Sequence, residues 1–234
     1  MTMPNLKEKS WETFNANKAK TNYPQWPNEA LVKLAFGDYL NHKITVKPGM
    51  KVLDIGCGFG NNLRPFLAKG CRCFGVEVTA LMAQQTQTIL AEQGFDTVIK
   101  EGNNRNLPFD NDFFDLILSI NVLHYEAELA NIHLALAEYS RVLAPEGRLL
   151  LMTVGPEHAI IKTAKPLGSS RYQIQNYDFR DGTVFYCFDN KESLGRVIAQ
   201  HFQKTETGRI TEDLMKTKLD FLVVTGESKK SRAA

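Results

Sequence analysis

Hydrophobic and polar residues follow two different periods along residues 52–154. Short apolar runs, which are typical of strands buried on both faces, occur at 52–55, 71–76, 97–100, 114–120 and 148–154. Between them, apolar residues recur at helical spacing over 61–69, 79–93 and 126–143. Repeated strand–helix units of this kind predict a parallel sheet with right-handed crossovers.

The pattern changes after residue 154. Residues 155–182 have weak periodicity and many turn-forming residues, and the remainder predicts a strand at 183–188, a helix at 191–202 and a last strand at 219–224. We therefore divide the chain into an N-terminal helical cap, an α/β core, an insertion, the C-terminal part of the same sheet and a tail. These parts correspond to residues 1–45, 46–154, 155–182, 183–228 and 229–234.

The first predicted strand runs into a series of closely spaced glycines. Gly56, Gly58 and Gly60 follow the strand at 52–55, and Glu77 stands at the end of the next strand. Glycine lets the backbone turn tightly and lets a ligand approach without a Cβ in the way. The carboxylate of Glu77 can accept hydrogen bonds from both hydroxyls of a ribose. The arrangement therefore predicts a site for an adenosine-containing cofactor.

The glycine spacing selects among such cofactors. A dinucleotide fingerprint reads G-x-G-x-x-G, whereas this chain has G-x-G-x-G preceded by Asp54. A carboxylate is unfavourable beside a pyrophosphate, but it favours a ligand that carries an ammonium and a sulfonium group. The sequence DIGCGFG, followed by GVEVT, resembles the class I S-adenosylmethionine-dependent methyltransferases of the methyltransferase type 11 kind.

This resemblance implies an α/β fold and a cofactor. The fold is a doubly wound, mostly parallel seven-stranded sheet of the Rossmann-like methyltransferase type, with an antiparallel last strand. The cofactor is S-adenosyl-L-methionine. In such a site the backbone of Gly56, Cys57 and Gly58, with Gly60 in the same turn, passes close to the methionine portion. Asp54 is expected to orient the ammonium group, directly or through a water molecule.

The resemblance also implies an adenine site. Val78 is expected to lie against the adenine face. The segment EGNNRNLPF is similar to the family's G-D-A-x-x-L-P-F segment, with Asn103 in place of the usual aspartate. Asn103 is then expected to accept from the adenine amino group, and the backbone N–H of Asn104 to meet a ring nitrogen. The alternative is a turn of the kind that asparagine favours. Asn121, after the strand at 114–120, is a further cofactor-binding candidate.

His124 is the candidate catalytic residue. It follows the strand at 114–120, at the edge of an open α/β sheet where ligands bind. An imidazole with a pKa near ~6.5 is able to take a proton from an attacking hydroxyl or amine. An equally good interpretation is a structural histidine that orients the loop.

Candidates for acceptor binding lie in the cap, beside His124 and in the insertion. They are Tyr23, Trp26, Tyr125, Arg171, Tyr172 and Arg180. The arginines are suited to pair with a carboxylate or phosphate on the acceptor. For each candidate, a surface or lid residue with no contact to the acceptor is the alternative.

Composition narrows the choice of partners. The 234 residues carry a formal net charge of +2, which argues against a nucleic-acid partner. No apolar run reaches the roughly 20 residues needed to span a bilayer, so we expect no membrane partner. Residues 1–22 lack the apolar core of a signal peptide. The 4 cysteines form no C-x-x-C pair, so we expect no metal and a cytoplasmic location.

We therefore expect transfer of a methyl group to an O or N atom of a small-molecule or sugar-like acceptor. A protein or RNA methyltransferase is one alternative. A non-catalytic protein of the same fold that binds an adenosine ligand is another. A nicotinamide-dependent oxidoreductase is a third, against which the glycine spacing and Asp54 both count.

Overall fold

A seven-stranded sheet forms the centre of the protein. The computed structural model describes residues 12–13, 16–17 and 26–231. Its strands are β1 (Lys51–Ile55), β2 (Arg72–Glu77), β3 (Thr97–Glu101), β4 (Phe114–Ile120), β5 (Leu143–Val154), β9 (Phe202–Leu214) and β10 (Thr217–Ser228). In the sheet their order is β3-β2-β1-β4-β5-β10-β9.

The direction of the strands confirms the predicted fold class. β1 to β5 pair in parallel with one another. β10 is antiparallel to both β5 and β9. This is a doubly wound, mostly parallel seven-stranded sheet in which the last strand runs against the others.

A second sheet has three strands, β6 (Lys165–Gly168), β7 (Arg171–Gln173) and β8 (Val184–Tyr186). The strand predicted at 183–188 belongs to this smaller sheet, so the placement of all of residues 183–228 in the main sheet is wrong. β9 is absent from the sequence prediction because it is an edge strand whose residues are largely polar and exposed. Such a strand lacks the apolar run by which buried strands are recognised.

Helices cover both faces of the main sheet. Within residues 26–231 they are α1 (Glu29–Phe36), α2 (Arg64–Leu67), α3 (Ala80–Glu92), α4 (Leu129–Val142), α5 (Ala159–Lys162) and α6 (Lys191–His201). α3 begins where predicted, since Thr79 Oγ1 accepts the N–H of Met82 at 3.3 Å. α4 begins later than predicted, because a 3₁₀ turn precedes it and Ala127 has a left-handed φ of 59°.

Two apolar cores lie on opposite faces of the sheet. α4 and α6 close one of them, to which Leu136 and Leu194 belong. α1, α2 and α3 close the other, with Leu31, Phe66 and Leu90. A smaller cluster joins α5 to the three-stranded sheet. None of the helices in the described ranges has both the length and the apolar content needed to cross a bilayer.

Gly60 marks the point where the glycine turn packs against α3. Its φ is +73°, and a Cβ placed on it would lie 2.6 Å from Leu90 Cδ1. Leu90 is completely buried, so it has little room to move away. Gly94 has a similar φ of +81°, but nothing lies within 4 Å of the position of its Cβ.

We expect Gly60→Ala to destabilise the protein more than Gly94→Ala. Both substitutions force alanine into a left-handed conformation, which costs about 1–2 kcal/mol. Overpacking against Leu90 adds about 1–3 kcal/mol in Gly60→Ala alone. Urea unfolding of the two variants measures the difference directly. Equal loss in both variants would show that the approach to Leu90 does not limit this position.

Candidate active site

The carboxyl ends of β1 to β4 surround a cavity of about 400 Å³. Ligands bind at this edge in open α/β sheets, where the strand order changes direction. The cavity is lined by Ile55, Gly56, Gly58, Val76, Glu77, Val78, Met82, Gly102, Asn103, Asn104, Ile120, Asn121, Val122, Tyr125, Glu126 and Thr183. About half of the side chains are apolar, and polar groups converge from the ends of different strands.

Glu77 joins the end of β2 to the glycine turn. Its Oε1 accepts the backbone N–H of Gly58 at 2.5 Å, and its Oε2 accepts the N–H of Val78 at 3.3 Å. Burial raises the pKa of this carboxyl to about 7, and the two N–H donors only partly oppose the rise. The side chain therefore holds the turn in place, and Glu77 lines the cavity.

Asp54 is a second buried carboxyl group next to the first. It is completely inaccessible to solvent, and neither oxygen makes a hydrogen bond of ordinary geometry with the described residues. Burial raises its pKa well above the usual range, and the charge of Glu77 adds to this, whereas Asn62 partly opposes it. Two adjacent buried carboxyl groups disfavour double ionisation, and a cationic ligand would relieve this.

Asn121 and two glycines shape the floor of the cavity. Asn121 has a left-handed φ of 61°, and its Oδ1 is buried without a hydrogen-bond partner among the described residues. A Cβ on Gly56 would lie 2.5 Å from Val122 Cγ1. Gly58 has a φ of +55°, and nothing lies within 4 Å of the position of its Cβ. A ligand therefore has open access to the backbone at Gly58.

Two of the cofactor-binding candidates in the glycine turn, Cys57 and Gly60, do not line the cavity. Gly60 faces α3 rather than the cavity, so we correct its expected role from cofactor contact to packing. Cys57 is buried beneath the turn, where its N–H donates to Val76 O at 3.2 Å and burial raises the pKa of its thiol. The sequence pattern cannot separate these roles, because a turn glycine and a packing glycine look alike.

His124 lies behind the cavity wall. It is not among the lining residues, and its Nδ1 is 3.3 Å from Thr153 Oγ1. Burial lowers the pKa of His124 to about 3, and the positive charges of Arg180 and His158 add to this. A neutral imidazole packed against Tyr125 and Phe185 fits the structural interpretation better than that of a general base.

The loop after β3 presents Asn103 and Asn104 differently. Asn103 is exposed, and its Oδ1 accepts the N–H of Arg105 at 3.0 Å, which forms the turn expected as the alternative. Asn104 is buried, and its Nδ2 donates to Glu126 Oε1 at 2.8 Å. The sequence analysis missed Glu126 as a cavity residue, because it takes this position as the start of a helix.

The two candidate arginines are engaged elsewhere. Arg171 Nη1 lies 2.6 Å from Glu128 Oε1. Arg180 Nη2 lies 2.6 Å from Asp178 Oδ2, and the guanidinium also interacts with the Tyr125 hydroxyl. Neither lines the cavity, so their expected pairing with an anionic acceptor has no support in the geometry.

The candidate aromatic residues are distributed around the site. Tyr125 lines the cavity, as expected for an acceptor contact. Tyr172 packs against the cluster beneath the small sheet, and Trp26 is 79% exposed. Tyr23 lies outside the described residues. Thr183 reaches the cavity from the segment before β8, and no local motif marks it in the sequence.

The raised pKa of Glu77 predicts a pH dependence of stability. Relative to an ordinary value of 4.5, a folded-state pKa of about 7 means that the folded protein binds the proton more tightly. Its contribution to stability is complete below pH 4.5 and is lost as the pH rises through 7. The difference amounts to about 3 kcal/mol.

We therefore expect Glu77→Gln to flatten the decline in unfolding free energy between pH 5 and pH 8, measured by urea unfolding without ligand. Glu101 pairs with Glu77 in the sheet register but is exposed, so Glu101→Gln is the matched control. His124, whose pKa is lowered, contributes with the opposite sign in all three proteins and cancels in the comparison. Identical profiles for wild type and Glu77→Gln would contradict the assignment.

Comparison with known proteins finds a methyltransferase domain in the central part of the chain. Residues 53–151 match the family profile described as a methyltransferase domain. The cyclopropane-fatty-acyl-phospholipid synthase of Escherichia coli K12 is 37% identical over 113 residues, 48% of this chain and 28% of that protein. A sterol 24-C-methyltransferase of Gibberella zeae is 30% identical over 112 residues, 47% and 29% of the two chains. The chain thus spans less than a third of the length of these curated relatives.

A solved structure shares the fold. It is the geranyl diphosphate C-methyltransferase of Streptomyces coelicolor, in complex with S-adenosyl-L-homocysteine. The TM-score is 0.61 at 17% identity, and the match covers 86% of this chain and 74% of the other. The match over residues 53–151 and the sheet topology thus support a class I S-adenosylmethionine-dependent methyltransferase domain in this part of the chain.

Proposed function

We propose that this protein binds S-adenosylmethionine in the cavity at the ends of β1 to β4 and transfers its methyl group to an O or N atom of a small molecule. One observation carries the proposal. Glu77 lies at the end of β2 with its carboxylate fixed by the N–H groups of Gly58 and Val78. That carboxylate has the position and the lone pairs to accept from two neighbouring ribose hydroxyls.

The residues at the other end of the cavity fit the methionine portion of this cofactor. Asn121 lines the cavity and its buried Oδ1 lacks a partner among the described residues. Asp54 lies behind the lining residues, completely buried, and its two oxygens also lack hydrogen-bond partners of ordinary geometry there. Such acceptors suit an ammonium group, which Asn121 would meet directly. The open space at Gly58 allows the ligand to approach the backbone. When bound, the cofactor supplies an electrophilic methyl group on a positively charged sulfur.

The protein itself then has to align the acceptor with the methyl group and to exclude water. Among the described residues that line the cavity there is no His, Lys or Cys, and the titratable ones are Glu77, Tyr125 and Glu126. Burial raises the pKa of Tyr125, so its phenol stays protonated at neutral pH. Positioning of this kind is worth several orders of magnitude in rate without proton transfer by a side chain. His124 then acts by positioning the loop that carries Tyr125.

A carbon acceptor on a lipophilic molecule is a second candidate. The relatives named above are a sterol 24-C-methyltransferase, a fatty-acyl-phospholipid synthase and a geranyl diphosphate C-methyltransferase. The apolar side chains of Ile55, Val76, Ile120 and Val122 in the cavity wall favour a ligand with apolar surface. A screen of acceptors should therefore contain alcohols, amines and alkenes.

Calorimetric titration with S-adenosylmethionine and S-adenosylhomocysteine tests the cofactor. We expect both to bind, and Glu77→Ala to weaken binding by at least 100-fold, because two charge-assisted hydrogen bonds of about 1.5–3 kcal/mol each are lost. Glu101→Ala should bind as wild type does, since Glu101 is exposed and outside the cavity. We expect NAD not to bind.

Failure of both ligands to bind folded wild-type protein would overturn the proposal. Tight binding without methyl transfer to any acceptor in the screen would favour a non-catalytic role for the same site. Transfer only to alkenes would favour the second candidate.

A further inference from the structure

Glu126 ends a series of buried hydrogen bonds that begins at Ser119 of β4 and passes through Tyr139 of α4. Ser119 Oγ is 3.2 Å from Tyr139 Oη, and the Tyr139 hydroxyl donates to Asn104 Oδ1 at 2.5 Å. Asn104 Nδ2 donates to Glu126 Oε1 at 2.8 Å. Arg105 Nε lies 2.9 Å from the other oxygen, Glu126 Oε2, and forms an ion pair with it. Ser119, Tyr139, Asn104 and Glu126 are all buried.

In each hydrogen bond of this series, the donor and the acceptor are fixed. A carboxylate only accepts, so the Asn104 amide must turn its NH₂ group toward Glu126 and its oxygen toward Tyr139. The hydroxyl hydrogen of Tyr139 is then used on Asn104, and Ser119 must donate to Tyr139. The polarised bonds therefore all point to Glu126 and strengthen one another. Any further group that bonds to Glu126 from the cavity has to be a donor.

The position of Glu126 identifies which part of the cofactor it meets. The N–H of Gly102 donates to the backbone O of Glu77 at 2.9 Å. The loop after β3 therefore lies directly beside Glu77, the residue proposed to bind the ribose. The glycine turn after β1 lies on the other side of Glu77, since β1 and β3 both pair with β2. With the methionine portion over the glycine turn, the base extends toward the loop after β3, where Asn104 and Glu126 border the cavity.

We propose that Glu126 recognises the amino group of the adenine base and sets the preference of this site for a 6-aminopurine over a 6-oxopurine. The inference rests on the proposed function. Asn103, expected for this contact from the sequence, is exposed and uses its Oδ1 to hold a turn. Glu126 supplies a fixed, buried acceptor in the same region from a different segment of the chain.

Binding of two ligands that differ at one position of the base tests this. S-inosylhomocysteine carries an oxo group in place of the 6-amino group of S-adenosylhomocysteine. A carboxylate repels an oxo group and loses a charge-assisted bond, so wild-type protein should prefer the adenosyl ligand by roughly 10- to 100-fold. Asn104 and Arg105 bind different oxygens of Glu126, so Glu126→Gln leaves one oxygen to accept and removes the negative charge. The preference should then fall to within about 3-fold.

Asn103→Ala is the matched control and should keep the wild-type preference, because this exposed side chain is outside the buried chain of bonds. Equal binding of the two ligands by wild type, or loss of the preference in Asn103→Ala, would overturn the inference. Neither result depends on whether Glu126→Gln folds. An unchanged preference in folded Glu126→Gln would overturn it as well. Absence of binding of both ligands to folded wild type would instead overturn the proposed function, and the inference with it.

Discussion

The site depends on two carboxyl groups that are buried at the ends of adjacent strands, where no basic side chain of the described residues forms an ion pair with them. Asp54 and Glu77 lie at the ends of adjacent parallel strands, and the Glu77 carboxyl has a pKa of about 7. Burial of such groups costs free energy unless a partner is present, and the described residues provide only N–H donors to Glu77. A ligand that carries hydroxyl and ammonium groups provides the missing donors. The free-energy cost of burying the two carboxyl groups is thus offset only by a ligand with such donors, and this makes the site selective for that ligand.

The three glycines of the turn meet different steric requirements at this edge of the sheet. Gly58 leaves open space on the cavity side, and Gly56 allows Val122 to pack closely. Gly60 admits Leu90 of α3. Each of the three has a positive φ, so the turn needs all of them for conformation, but only one faces free space.

The local pattern of apolar and polar residues predicts much of the fold and part of the site. Alternating apolar runs and helical spacing predict the sheet, and the ends of its strands place Asp54, Glu77 and Asn121. β9 could not be predicted, because an exposed edge strand needs no apolar run. The distance of His124 from the cavity and the burial of Glu126 depend on how the turn after β4 packs. Packing of this kind leaves no periodic signal along the chain.

Proton release on ligand binding tests the account most directly. If Glu77 is protonated in the free protein at pH 6 and accepts two hydroxyl groups as a carboxylate in the complex, binding must expel its proton. Calorimetry of S-adenosylhomocysteine binding in buffers of different ionisation enthalpy measures this number. The account predicts release of about one proton per ligand at pH 6, which declines toward pH 8. Binding without proton release at pH 6 would contradict it.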